Sequence, residues 1–170
     1  TMKDIEVFEN FLKDDDFKIV QETAFRQLEV PSPATFRTNY TWWQPNIIHQ
    51  SSAVLVYDVV EENVIKILDD AFIGQFGNNP GQYMFYYWTN NSFIPWHEDG
   101  HVKNAGTLYL NNEWNRDFGG LYLYETSENE IKALLPTRNT FVLQHNHTMH
   151  ATTPTYPGTP FRVSVQMFFS

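Results

Sequence analysis

The sequence contains no cysteine, so disulfides are excluded and the chain fits a reducing compartment. Basic residues are also few, eleven against twenty acidic ones, for a formal charge of −9. That balance offers no electrostatic footprint for a phosphate backbone or an anionic membrane surface. No apolar run approaches the ~18 residues of a membrane span, and the N-terminal residues carry neither the basic nor the apolar region of a signal peptide. The expectation is a soluble, cytoplasmic chain without nucleic acid or membrane as partner, its oligomeric state left open. No internal repeat or low-complexity tract is visible.

Size and aromatic rings are what the chain does have. At 170 residues and 20.0 kDa it can bury a substantial core as one domain, 1–170. An aromatic content of 16%, with fourteen Phe and five Trp, suits a sandwich whose inner faces are filled by large rings. Ile5, Val7 and Phe8 open a short strand. Asp14, Asp15 and Asp16 then cap a helix of about four turns, with Phe17, Val20, Ala24 and Leu28 at helical spacing and Pro31 as its end. Pro31, Pro33 and Pro45 break any period over residues 31–50; there Trp42 and Trp43 are read as core rather than substrate entrance, and His49 as an ordinary polar contact. Residues 52–58 read as extended or loop. A second helix is expected from about Val60 to Phe72, burying Ile65, Leu68 and Phe72 and closed by Gly74 in the left-handed conformation.

Beyond the loop at residues 77–81 the helical period disappears. Strands are predicted at 83–90, 94–99, 105–111, 120–125, 130–135, 140–145, 148–153 and 161–169. Short strands at this spacing imply a sandwich or barrel. Eight of them behind two helices predict a mainly β fold with flanking helices (α+β), a jelly roll with the two N-terminal helices packed outside. Residues 1–75 then form a helical support region, and 79–170 the jelly-roll core.

Chemistry concentrates between Phe93 and His150. The stretch Trp96-His97-Glu98-Asp99-Gly100 places an imidazole and a carboxylate two residues apart. In an extended chain His97 and Asp99 point the same way and Glu98 the other. A second imidazole from a strand brought alongside by the fold completes a 2-His-1-carboxylate set, which leaves positions open on an Fe(II) ion for a co-substrate and O2. His150 is the candidate for that third ligand, and His145 and His147 compete with it. Farther on, Phe161-Arg162-Val163-Ser164-Val165-Gln166-Met167 alternates as a strand with one cation on a single face. Arg162 offers a rigid fork for the far carboxylate of a dicarboxylic acid.

These residues resemble the Fe(II)- and 2-oxoglutarate-dependent oxygenases, and the prolyl hydroxylase-like branch among them. Tyr83-Met84-Phe85-Tyr86-Tyr87 resembles the family's strand before H-x-D, and Gly106-Thr107-Leu108-Tyr109-Leu110-Asn111 its Y-L-N strand. Gly119-Gly120-Leu121-Tyr122-Leu123 resembles its G-G-x-L turn and strand, and Asn139-Thr140-Phe141-Val142-Leu143 the strand leading to the second His. The resemblance covers residues 79–169. Counted from Phe141, it selects His150 with its Ala-Thr-Thr-Pro tail as the distal ligand. The chain departs from the pattern in two places: Glu98 stands inside H-x-D, and the segment from His150 to Arg162 is longer than expected, which makes Thr155-Tyr156-Pro157-Gly158 an insertion.

The resemblance implies a double-stranded β-helix and three metal ligands, His97, Asp99 and His150. It also implies Fe(II), 2-oxoglutarate and O2 as cofactors, with ascorbate as a further candidate. The far carboxylate of 2-oxoglutarate would pair with Arg162, assisted by the Tyr109 hydroxyl, with Tyr87 as a second pocket tyrosine. Ser164, on the same face as Arg162, would add a hydrogen bond. The implied reaction is decarboxylation of 2-oxoglutarate to succinate and CO2, coupled to hydroxylation of an unactivated C–H bond. The mouth is expected from residues 88–96, 100–104 and 111–118, offering Trp88, Trp96, Trp114 and Arg116 beside Glu98 and Asp117. Aromatics over a groove suit a proline-containing peptide or protein, with a free amino acid or other small molecule as runner-up. Two other classes remain: a cupin-type metalloenzyme, which needs no carboxylate anchor at Arg162, and a non-catalytic jelly-roll binding module, in which His97, Asp99 and His150 would not converge.

Overall fold

The computed structural model describes residues 4–29, 36–38, 50–100, 102–145 and 147–169; the expectations for Trp42, Trp43 and His49 lie outside them. The chain opens with strand β1 (Ile5–Phe8), helix α1 (Asp14–Glu29) and the short strand β2 (Phe36–Thr38), followed by β3 (Val54–Asp58) and helix α2 (Glu62–Phe76). The strand region then runs through β4 (Met84–Trp88), β5 (Ile94–His97), β6 (Asn104–Tyr109) and β7 (Tyr122–Glu125). It ends with β8 (Ile131–Leu134), β9 (Phe141–His145), β10 (His150–Thr152) and β11 (Arg162–Phe169). Each of these last eight lies within or close to a strand expected from the alternation of the sequence.

Helix α2 runs past its expected end. Gly74 is accommodated inside it, and the left-handed residue that closes it is Gly77, at φ 78°, whose N–H donates to the Ile73 carbonyl at 2.8 Å. The extra turn brings Phe76 within 6.0 Å of both Phe72 and Phe141, ring centroid to centroid. Ring burial outweighs the helix propensity lost at one glycine.

All pairings are antiparallel, in two sheets. The larger has the order β1-β9-β6-β11-β4-β3-β2 and the smaller β5-β10-β7-β8. Four strands of each come from the last eight elements, which is the double-stranded β-helix. Strands β1, β2 and β3 extend the larger sheet at both edges, so residues 1–75 are more than a helical support: they complete the sheet that carries half of the site.

The two faces of the larger sheet differ in chemistry. Phe85, Tyr87, Leu108, Phe141, Val163, Val165 and Met167 alternate onto one face and pack with Phe17, Val20 and Ala24 of α1 and Val64, Leu68 and Phe72 of α2. The aromatic cluster lies here, with Phe11, Phe72 and Phe141 at centroid distances of 4.9 to 5.1 Å. This corrects the expectation that the rings fill the space between the sheets. The apolar cluster between the sheets is small, built on Tyr109, Tyr122 and Val142, and the rest of that face carries the polar residues of the site.

Glycine fits two close approaches. A Cβ on Gly106 would lie 2.5 Å from the Phe141 ring, so β6 can pass beside that ring only without one. Gly119, at φ 74°, has the Pro154 carbonyl where its Cβ would be and pairs with Thr155, which joins the turn before β7 to the segment after β10. Among the described residues no helix is long and apolar enough to cross a membrane.

Candidate active site

His97 is the last residue of β5 and His150 the first of β10, and the two are direct cross-strand partners. Asp99 follows in the turn beyond β5. Ligand atoms of His97, Asp99 and His150 lie within 4.8 Å of one another, with His150 Nε2 3.3 Å from Asp99 Oδ2 and His97 Nε2 3.8 Å from Asp99 Oδ1. Nδ1 of His97 donates to the Pro95 carbonyl at 2.7 Å, and Nδ1 of His150 to the Thr148 carbonyl at 2.8 Å. A carbonyl can only accept, so each Nδ1 carries a proton, and each Nε2, which faces the carboxylate, is the atom available to a metal. Burial lowers the pKa of His97, with the neighbouring His150 second, and so favours the neutral ligand form. Burial opposes charge on Asp99. The hydrogen bond and charge of His150, the charge of His97 and a hydrogen bond from Gln144 outweigh it and hold the carboxyl below its ordinary value.

This donor set fits Fe(II): two imidazoles, each fixed through its Nδ1, and one carboxylate, with their ligand atoms within 4.8 Å of one another. The competing histidines are elsewhere. His145 Nδ1 meets Asn104 Oδ1 at 3.1 Å and its Nε2 meets Glu6 at 3.2 Å, on the other side of β9 from Gln144. His147 is exposed, at φ 64°, and lies 3.5 Å from Glu98.

Gln144 escaped the reading of the sequence. Its Nε2 donates to Asp99 Oδ2 at 3.0 Å and its Oε1 accepts from the Tyr122 hydroxyl at 2.7 Å. The available signal was a lone amide in the apolar run Phe141-Val142-Leu143, at a position that alternation shares with Val142.

Arg162 begins β11 and is 2% exposed. Its Nη2 donates to the Tyr109 hydroxyl at 3.0 Å, and its guanidinium carbon sits 4.9 Å from the Tyr109 ring and 5.0 Å from the Trp88 ring. Among the described residues it has no carboxylate partner, and its Nε and the nearby Ser164 Oγ are buried without a hydrogen bond. Ser164 pairs with both Tyr109 and Tyr86 across the sheet, so Arg162, Ser164, Tyr109 and Tyr86 share the inner face. Tyr109 packs with Tyr122, whose ring stacks on His150 at 5.9 Å. The guanidinium and the histidine pair are therefore ends of one contact path.

Tyr87 is not on it. It lies opposite Val163, on the helix-facing side of the sheet, where its hydroxyl donates to the Ala24 carbonyl of α1 at 2.6 Å. The tyrosine of that strand that does face inward is Tyr86. The mouth also differs from expectation. Trp88 is buried beside Arg162, and Trp114 is buried with its Nε1 donating to the Gly119 carbonyl at 2.8 Å. A Cβ on Gly120 would lie 3.2 Å from both Arg162 Cδ and Trp114 Cζ2, so both indoles are buried near Arg162 rather than exposed at a mouth.

The sequence profile of the 2OG-Fe(II) oxygenase superfamily matches residues 81–170. The chain belongs to that superfamily. Its fold is similar to that of a Pseudomonas putida prolyl-4-hydroxylase, with a TM-score of 0.78 at 14% identity over 99% of this chain and 92% of the other. A Trichoplax adhaerens prolyl hydroxylase in complex with a hypoxia inducible factor oxygen degradation domain peptide fragment gives 0.79 at 15% identity, over 98% and 83%. The non-heme alpha ketoglutarate dependent epimerase SnoN from nogalamycin biosynthesis gives 0.72 at 8%, over 98% and 77%. The chain has no significant match among curated proteins. As an oxygenase of this superfamily it uses Fe(II), 2-oxoglutarate and O2, and His97, Asp99 and His150 are the cluster that fits the iron.

Proposed function

We propose that this oxygenase hydroxylates an unactivated C–H bond, with a prolyl residue in a peptide or protein as its substrate class and succinate and CO2 as co-products. The observation that carries the co-substrate half is Arg162, a buried guanidinium with an unpartnered Nε beside the Tyr109 hydroxyl. A desolvated cation without a counter-charge is costly, and a carboxylate offered bidentately relieves that cost. Arg162 and Tyr109 therefore take the far carboxylate of 2-oxoglutarate, and Ser164, whose hydroxyl is likewise buried and unpartnered, supplies a further hydrogen bond. Tyr86 stands where Tyr87 was expected. A cupin-type enzyme working without 2-oxoglutarate has no use for this cation.

His97, Asp99 and His150 hold the iron, which when bound supplies the activation of O2. The residues around it orient and exclude: backbone carbonyls fix both imidazoles, and Trp88 and Trp114 close the carboxylate end to water. Likeness of fold over nearly the whole chain to two prolyl hydroxylases supports the prolyl substrate.

The test is anaerobic titration with Fe(II) and then 2-oxoglutarate, read by the weak visible charge-transfer band of the chelate, in the wild type and in Arg162→Leu. The band should form only with Arg162 present while iron binds in both. Equal co-substrate affinity in the two proteins overturns the assignment of Arg162. Succinate release is then measured with proline-containing peptides and with free proline; stimulation by free proline alone moves the substrate class to small molecules.

A further inference from the structure

We infer that Gln144 and Tyr122 are positioning residues for the iron site, a hydrogen-bonded pair that holds the Asp99 carboxylate in one orientation and the His150 ring in one plane. The inference rests on the reading of His97, Asp99 and His150 as the iron ligands. Asp99 lies beyond the end of β5, in a turn, where no ladder fixes its side chain. A carboxylate in that position can rotate between presenting one oxygen or two to a metal.

Gln144 removes that freedom. It is buried on β9, a central strand of the larger sheet, and its amide N–H reaches across to Asp99 Oδ2 at 3.0 Å. The amide cannot turn over, because its Oε1 is occupied by the Tyr122 hydroxyl at 2.7 Å. A carboxylate oxygen accepts and the Tyr122 O–H donates, which fixes the amide with its N–H₂ toward Asp99 and its Oε1 toward Tyr122. The amide thus fixes the plane of the carboxylate that would hold the metal.

Tyr122 acts a second time through its ring. It lies 5.9 Å from the His150 ring at an interplanar angle of 27°, and it pairs with Thr152 on the strand that His150 begins. One tyrosine thus orients two of the three ligands, one through Gln144 and one by stacking, from a strand that supplies no ligand itself. Such outer contacts typically change metal affinity by about 10–100-fold.

Three variants test this: Gln144→Met, which keeps the volume and removes the amide; Tyr122→Phe, which keeps the stack and removes the hydroxyl; and their combination. Fe(II) affinity is measured anaerobically, Co(II) is substituted to read the ligand geometry from its d–d absorption, and the melting temperature of the metal-free protein is followed alongside. Gln144→Met should weaken Fe(II) binding by about 10-fold or more and alter the Co(II) spectrum. Tyr122→Phe should cause a smaller loss, and the double variant should lose little beyond Gln144→Met, as residues in one network do.

A wild-type affinity and spectrum in Gln144→Met overturns the inference while leaving the iron site intact. So does a loss of affinity in both single variants that only tracks their loss of melting temperature, since that is a structural effect. If the wild type itself binds no Fe(II), or binds it as well after Asp99→Ala, the iron-site reading falls and this inference with it.

Discussion

His97 and His150 face each other directly across the β5–β10 ladder, with ring centroids 4.1 Å apart. The ladder thus fixes two ligands relative to one another through backbone hydrogen bonds, and only Asp99 depends on a turn. Replacing His150 with Ala should cost more than about 100-fold in Fe(II) affinity, above the range of outer contacts, while His145→Ala and His147→Ala should bind as the wild type does. Equilibrium dialysis under argon measures all three. An effect of His147→Ala as large as that of His150→Ala would reverse the choice of distal ligand.

Iron should also stabilise the fold by mass action. At free Fe(II) 100 times its Kd the unfolding free energy should rise by about 2.7 kcal/mol. Asp99→Ala should show none of that rise. Thermal melts with and without chelator measure it, and an equal response in the two proteins would place the metal elsewhere.

His150 was separated from His145 and His147 only by the resemblance to the family, whereas the pairing of His97 with Asp99 was legible because alternation in an extended chain is a local rule. The eight strands were legible for the same reason. The phase of β4 was not: Tyr86 and Tyr87 are adjacent tyrosines, and only the register against β11 decides which one faces Arg162. The rings could be counted but not placed, because a sheet with helices on one side and a second sheet on the other has two buried faces, and composition does not say which takes the bulk. Gln144 was hidden because its partners come from a turn and a strand distant in the chain.

Tyr87→Phe separates the two faces of that sheet. It removes the hydrogen bond to Ala24 and should cost about 1 kcal/mol of stability, read by urea denaturation. Affinity for 2-oxoglutarate should not change. A weakened co-substrate with unchanged stability would return Tyr87 to the pocket.

Gly106→Ala tests how tightly β6 and β9 are packed. The new methyl would meet the Phe141 ring at 2.5 Å and Met167 Sδ at 2.8 Å, inside the ring cluster under the helices. The methionine can yield, but Phe141 is wedged among Phe8, Phe11, Phe72 and Phe76. A loss of about 1–3 kcal/mol is expected. Met167→Ala in the same chain should recover little of it if the ring is the obstacle, and most of it if the thioether is.

Asn139 ties the N-terminal turn to the strand region, and its substitutions should rank in a set order. Its side chain accepts from Leu12 N at 3.0 Å and donates to the Leu12 carbonyl at 2.8 Å, its own carbonyl accepts from Phe11 N, and its φ is 54°. Asn139→Ala strands two buried backbone groups and puts a Cβ without hydrogen-bonding recourse in left-handed backbone. Asn139→Gly loses the same bonds without the strain. The alanine variant should lose about 3–4 kcal/mol and the glycine variant about 1 kcal/mol less. Chemical denaturation of the pair reads the difference. Equal losses would mean that the hydrogen bonds alone hold the turn, and a larger loss for glycine would mean that the freedom of the unfolded chain decides it.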